Sequence, residues 1–197
     1  MPEPDFKFSN RVRALPPYLF LEIDRAKRNA KAKGADIIDF GIGDPDQPTP
    51  PFIIKAFHQA IKDPQTHQYP LDAGRPEFRK AIAAWYRKRF HVDLDPDHEI
   101  LPLIGSKEGL AHFPLAFVNP GDTVLVPNPG YPAYRSGILF AGGKSVPLVL
   151  DAENGYAPNW KRVGRAALKK AKVLYINYPS NPTGATASLR TFQSIVR

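Results

Sequence analysis

Asn181 is the side chain with the clearest chemical prospects. It follows an apolar, β-branched run, residues 173–178, that fits a buried strand, and it sits in the loop Asn181-Pro182-Thr183-Gly184. Pro179 and Pro182 each remove a backbone donor and fix φ, while Gly184 tolerates angles that other residues avoid, so the loop is expected to be stiff. It would hold the Asn181 amide beyond the carboxyl end of the strand, where open α/β sheets bind ligands. A second candidate is Gly105-Ser106-Lys107-Glu108-Gly109, between an expected strand at 100–104 and an expected helix at 107–118. Small residues there let backbone N–H groups, the Ser106 hydroxyl and the positive helix end converge on an anion such as a phosphate. The same residues also suit a plain helix start that Ser106 caps. Tyr131, in the loop Asn128-Pro-Gly-Tyr-Pro132, is placed to stack on a flat ligand or to pack against its own loop. Tyr69 presents a polar tip in a turn.

Other chemistries find little support. The chain has no cysteine, and none of its five histidines pairs with another at i, i+4 spacing, so thiol chemistry is excluded and a metal site is not expected. There is no Gly-x-Ser-x-Gly elbow. Gly143-Lys144-Ser145 resembles the end of a phosphate-binding P-loop, but Ile138 stands where the motif needs glycine. Gly41-Ile-Gly43 begins like a dinucleotide fingerprint, yet position 46 is Asp and Pro45 and Pro48 obstruct the helix start.

The elements that must position these residues alternate. Helices are expected at 18–33, 51–62, 75–90, 107–118, 133–141 and 160–171, with a last one opening at 187. In the 75–90 helix, Phe78, Ile82, Trp85 and Tyr86 mark one face. Strands are expected at 37–40, 100–104, 123–127, 145–150 and 173–178. Strand–helix alternation over the second half predicts an α/β fold with a mostly parallel, doubly wound sheet flanked by helices. The pattern stops midway through that alternation, which predicts a truncated domain. The 22 prolines are scattered and form no linker.

The bulk properties set limits. A chain of 197 residues, 43% apolar, can build a sizeable core. No apolar run nears the roughly 20 residues of a membrane span, and no secretory leader is recognisable, so a cytoplasmic location is the default expectation. The net charge of +8 concentrates in 25–33, 79–89 and 161–172, helical stretches that read as solvated faces rather than a nucleic-acid footprint. A non-catalytic module that binds nucleic acid or an acidic partner through these helices is the alternative from a different class.

Five segments together resemble one family. They are Phe40-Gly-Ile-Gly-Asp-Pro-Asp-Gln-Pro-Thr-Pro50, Tyr69-Pro-Leu-Asp-Ala-Gly74 with Phe78-Arg79, Ile104-Gly-Ser-Lys-Glu-Gly-Leu110, Pro127-Asn-Pro-Gly-Tyr-Pro132 and Asn177-Tyr-Pro-Ser-Asn-Pro-Thr-Gly184. In order and spacing they look like the amino-terminal half of the fold-type I pyridoxal-phosphate aminotransferases, the aspartate aminotransferase superfamily. Leu15-Pro-Pro-Tyr-Leu-Phe20, Ile42-Gly-Asp-Pro45 and Gly105-Ser-Lys-Glu-Gly109 look most like the LL-diaminopimelate aminotransferases.

The resemblance implies a cofactor, pyridoxal 5′-phosphate, and a set of roles. Ser106 and Lys107 would bind its phosphate, Tyr131 would stack on its ring, and Asn181 would donate to its phenolic oxygen. Tyr69 would reach the phosphate of the other subunit of a homodimer. Gly43 would let the backbone approach the substrate carboxylate, and Tyr18 would contact substrate. The substrates would be an amino acid and a 2-oxo acid, with LL-diaminopimelate and 2-oxoglutarate the expected pair. A β-lyase or a cyclopropane-forming synthase is the alternative on the same scaffold. Residues 1–45 would be an arm and part of a smaller domain, and 46–197 an incomplete cofactor-binding domain. The family's Schiff-base lysine, the aspartate that pairs with the pyridine nitrogen and the carboxylate-binding arginine would lie beyond position 197, so these residues alone are expected to be inactive.

Overall fold

The computed structural model describes residues 7–41, 43, 45–70 and 73–196, so Ile42, Asp44, Leu71 and Asp72 of the quoted motifs lie outside the described residues. In chain order the helices are α1 (Asn10–Arg13), α2 (Leu19–Ala32), α3 (Pro51–Ala60), α4 (Pro76–Phe90), α5 (Ser106–Phe117), α6 (Pro132–Phe140), α7 (Arg165–Lys170) and α8 (Leu189–Val196). The strands are β1 (Thr123–Asn128), β2 (Lys144–Val149) and β3 (Ala171–Leu174). The chain divides into two compact units, Met1–Leu15 with Leu103–Arg197, and Pro16–Pro102.

The larger unit is built on a three-stranded parallel sheet in the order β2-β1-β3. β1 is central and buried on both faces, and its side chains alternate between two cores. Val124 and Val126 join Val118, Tyr134, Ile138 and Tyr175 on one face. Leu125 joins Leu148, Leu150 and Val163 on the other. Helix α6, between β1 and β2, packs on the first face, and Ala167 of α7, between β2 and β3, packs on the second. Helices on both faces of a parallel sheet make the α/β architecture that the alternation predicts.

α5 and α6 touch backbone to backbone. A Cβ built at Gly137 would stand 2.7 Å from the Ala111 carbonyl oxygen, so only glycine lets the two helices approach this closely. The turn after α5 is fastened by Asp122. Its carboxylate accepts from Asn119 N–H (2.8 Å) and from Lys172 Nζ (3.2 Å), and these donors hold it below the usual aspartate range.

In the Pro16–Pro102 unit the buried residue of α4 is Arg79, not an apolar one. Its guanidinium donates to the carbonyls of Ala73, Gly74 and Pro96 and to Asp97 Oδ1, all at 2.6–3.1 Å. Arg79 therefore clamps the segments on either side of α4. The face that Phe78, Ile82, Trp85 and Tyr86 were expected to mark is largely open, with Phe78 and Trp85 each more than half exposed. Trp85, Tyr86 and Phe90 pack on one another instead, with centroids 5.2–5.4 Å apart.

Four expectations are corrected. Residues 37–40 and 100–104 are not strands. A strand persists by pairing, and among the described residues neither segment has a neighbour; Phe40 and Ile104 are more than nine-tenths exposed. Asp39 instead closes a local turn, accepting from Gly41 N–H and Lys27 Nζ. The helix expected over 160–171 is split into a 3-10 turn, Trp160–Arg162, and α7, because the buried Val163 and the exposed Gly164 interrupt it. The strand expected over 173–178 is shifted to Ala171–Leu174. One further ladder bond, Tyr175 N–H to Leu125 O, follows before the chain bonds to its own loop.

Candidate functional site

Parallel strands bring their carboxyl ends to one edge, and the residues that follow them share it. β1 pairs Leu125 with Leu174 of β3, so Asn128 at the end of β1 and Asn177 beyond β3 lie at about the same level. α5 leads into β1 through the short turn at 119–122 and so runs back against it. Its 12 residues span about 18 Å, and the six of β1 about 20 Å. The amino end of α5 therefore reaches the same edge as the carboxyl ends of the strands. Ser106 and Lys107, Tyr131 and the Asn181 loop all belong to this edge of the larger unit.

The amino end of α5 is built for an acceptor. Gly105 precedes it with φ +80°, a conformation that side chains disfavour, and a Cβ there would meet open space. The residue that caps the helix is Gly105, not Ser106, and it makes no side-chain hydrogen bond. Glu108 instead reaches back, its Oε2 accepting from Ile104 N–H at 2.7 Å. The first N–H groups of a helix have no carbonyl partner within it, and the dipole favours an anion there. In the capped reading that the sequence leaves open for this segment, the cap position falls on Gly105 and not on Ser106. The strand expected to precede it is absent.

Tyr131 is the residue before α6 and is partly buried. It packs on the core of the α5–α6 face and meets Tyr134 edge-on at 5.8 Å, so its ring is held from behind. Asn181 is exposed, and its loop is tied by hydrogen bonds as well as by prolines. Asn181 N–H donates to Asn177 Oδ1 (2.9 Å), Gly184 N–H to Ser180 O (2.7 Å) and Ser180 N–H to Ala185 O (2.8 Å). The amide side chain is thus presented on a fastened backbone.

Tyr18, Gly43 and Tyr69 lie in the Pro16–Pro102 unit. Tyr18 precedes α2, with its ring 5.5 Å from that of Phe20. Gly43 is exposed with open space where a Cβ would go. Tyr69 is 87% exposed and lines an open cleft of about 500 Å³ together with Gln65, Gln68, Arg75 and Arg79.

Sequence reasoning missed three contributors. Asn177 holds the Asn181 backbone, Tyr134 backs Tyr131, and Tyr175 stacks on Tyr134 at 4.6 Å. Only Asn177 left a signal, as an amide four residues before Asn181; the tyrosines read as core. Burial pushes both phenols up, so each stays a neutral hydroxyl donor.

The donor set fits a flat, phosphorylated ligand: a helix end with a hydroxyl and a cation for the phosphate, an aromatic face for the ring, and an amide for a ring oxygen. Among the described residues no group of three or more His, Asp or Glu could hold a metal, and no helix is long and apolar enough to cross a membrane.

Comparison with known proteins gives a consistent picture. A family model described as aminotransferase class I and II matches residues 35–197. An LL-diaminopimelate aminotransferase of Aquifex aeolicus is 52% identical over 191 residues, which are 97% of this chain and 49% of that protein. One from Syntrophobacter fumaroxidans gives the same identity and shares. Among solved structures, the substrate-bound BacF of Bacillus subtilis superposes with a TM-score of 0.88 at 37% identity, covering 96% of this chain and 48% of that one. A mutant aspartate aminotransferase of Thermus thermophilus superposes with a TM-score of 0.87 at 30% identity, covering 98% and 50%. The chain spans about half the length of the relatives it matches.

Proposed function

Because this chain belongs to the aminotransferase class I and II family, whose members depend on pyridoxal phosphate, we propose that the full-length protein moves an amino group from LL-diaminopimelate to 2-oxoglutarate. The observation that carries the reading is the shared edge: the amino end of α5 behind Gly105, the backed ring of Tyr131 and the fastened loop of Asn181 follow elements that the parallel topology brings to one end of one sheet. The diaminopimelate assignment draws on the 52% identity to proteins of that name.

In this reading the Ser106 and Lys107 backbone N–H groups and the Ser106 hydroxyl bind the cofactor phosphate. The helix dipole favours its charge. Tyr131 covers one face of the ring and excludes water from it. The Asn181 amide donates to the phenolic oxygen and favours its anionic form. When bound, the cofactor supplies an electron sink for the substrate Cα–H bond. Gly43 and Tyr18 approach the substrate, and Tyr69, whose hydroxyl tip is exposed, serves the phosphate of a second subunit in a homodimer. Residues 1–45 form the arm and part of a smaller domain, and 46–197 the cofactor-binding domain.

The test is amino transfer by the full-length protein, followed as glutamate formed from 2-oxoglutarate, with LL-diaminopimelate and aspartate as rival donors. Preference for diaminopimelate supports the assignment. Preference for aspartate keeps the aminotransferase and removes its substrate. Elimination products without glutamate would move the protein to the lyase alternative. The 197-residue chain by itself is expected to give no turnover above a protein-free control.

A further inference from the structure

α5 carries a proline in its interior, Pro114, which is fully buried. Proline has no N–H, so the carbonyl four residues earlier, that of Leu110, loses its helical donor. A carbonyl left bare at such a place costs free energy. The donor comes from outside the helix. The Tyr175 hydroxyl, 65 residues away in sequence, donates to Leu110 O at 3.3 Å. Pro114 and Tyr175 thus form one device: the helix gives up a bond, and the residue just beyond β3 restores it.

The place of that bond gives it a consequence. Leu110 is one turn from Ser106, at the end of α5 proposed to bind phosphate. Tyr175 is 8% exposed and lies flat on Tyr134, which is 5% exposed, with centroids 4.6 Å apart and planes inclined by 20°. Tyr134 in turn meets the Tyr131 ring edge-on. The Tyr175 backbone N–H donates to Leu125 O of β1, which fixes its height on the sheet. From Tyr175 the chain continues to Asn177, whose side chain holds the Asn181 backbone. One residue therefore touches, directly or through a single neighbour, the amino-terminal half of α5, the ring that backs Tyr131 and the segment that carries Asn181.

We propose that Tyr175 is a positioning residue that sets the spacing between the phosphate-binding end of α5 and the ring-binding Tyr131 and Asn181. This rests on the aminotransferase reading of the same edge. Loss of the hydroxyl frees α5 to shift along its axis relative to the rings. A ligand that spans both ends feels that shift, and a ligand that uses only the ring end does not.

The experiment compares four full-length proteins: wild type, Tyr175→Phe, Pro114→Ala, and the double variant. Alanine at 114 restores an N–H to Leu110 O and makes the tyrosine hydroxyl dispensable. Equilibrium titrations of the cofactor-free proteins use pyridoxal phosphate and pyridoxal, and thermal unfolding is followed without ligand. Tyr175→Phe is expected to weaken pyridoxal phosphate by roughly five- to tenfold while changing pyridoxal by less than about twofold. It also lowers the unfolding midpoint, and the double variant returns both quantities towards wild type. Equal weakening of the two ligands, or no recovery in the double variant, overturns the proposal. If wild type binds no pyridoxal phosphate, the aminotransferase reading fails and the positioning role goes with it; the unfolding midpoints then still report whether the hydroxyl replaces the missing N–H.

Discussion

At Asn181 the backbone and the side chain have separate duties. The N–H is committed to Asn177 Oδ1, while the amide is exposed at the edge of the sheet. Asn181→Ala should therefore leave the loop standing. In the full-length protein it is expected to slow amino transfer by about a hundredfold, as loss of one preorganised donor does, with an unfolding midpoint close to wild type. A midpoint that falls along with the rate would make Asn181 structural. A second residue-scale effect is electrostatic. His98 Nδ1 and Asp95 Oδ2 are 2.8 Å apart, and the bond between them raises the histidine and lowers the aspartate. The raised histidine contributes stability that is complete below its ordinary value of 6.5 and is lost as pH rises through the folded value. The lowered aspartate contributes above its ordinary value of 3.8, and that is lost as pH falls through the folded value. The pair is therefore most favourable between those two values. Proton NMR titration of His98 should give a midpoint above the ordinary value in wild type and a lower one in Asp95→Asn; identical midpoints would remove the interaction. Asn181, Ser106 and Tyr131 stand out in the sequence because polar or aromatic residues between prolines and glycines mark a built loop, and their proposed roles await the tests above. Tyr175 and Arg79 do not, because their hydrogen bonds go to backbone carbonyls outside their own elements.

Among the elements, those with a strong local cause formed where the sequence put them. α4 begins at Pro76 with Glu77 in its first turn and ends in Arg87, Lys88 and Arg89, which complements its dipole. β1 is an apolar run buried on both faces. Elements whose cause is a neighbour did not. The apolar residues at 37–40 and 100–104 satisfy a strand pattern, but pattern cannot supply the partner that a ladder needs. The contact between α5 and α6 was equally illegible, because Gly137 reads as a weak helix residue until the Ala111 carbonyl is seen against it. Gly137→Ala is expected to cost about 1–3 kcal/mol, since backbone rather than a yielding side chain meets the new methyl group. Urea unfolding of the full-length protein measures it. A variant as stable as wild type, or more stable through the better helix propensity of alanine, would show that the helices can part without loss.

At the scale of the whole molecule, the fold class was legible from alternation alone, whereas the distribution of buried surface was not. All of the buried apolar residues among those described lie in the Met1–Leu15 and Leu103–Arg197 unit, while Phe52, Phe57, Phe78 and Trp85 of the Pro16–Pro102 unit are more than half exposed. Hydrophobic periodicity reports which face is apolar, not what covers it. The function proposed for the full-length protein rests on the better-packed unit, where the amino end of α5, Tyr131 and the Asn181 loop belong to one edge of the sheet. The most direct measurement is a crystal structure of the full-length protein with pyridoxal phosphate bound. The phosphate is expected within hydrogen-bond distance, about 3 Å, of Ser106 and of the first N–H groups of α5, with the ring against Tyr131 and its phenolic oxygen on the Asn181 amide. A cofactor seated elsewhere, or one whose phosphate points away from α5, would contradict the account.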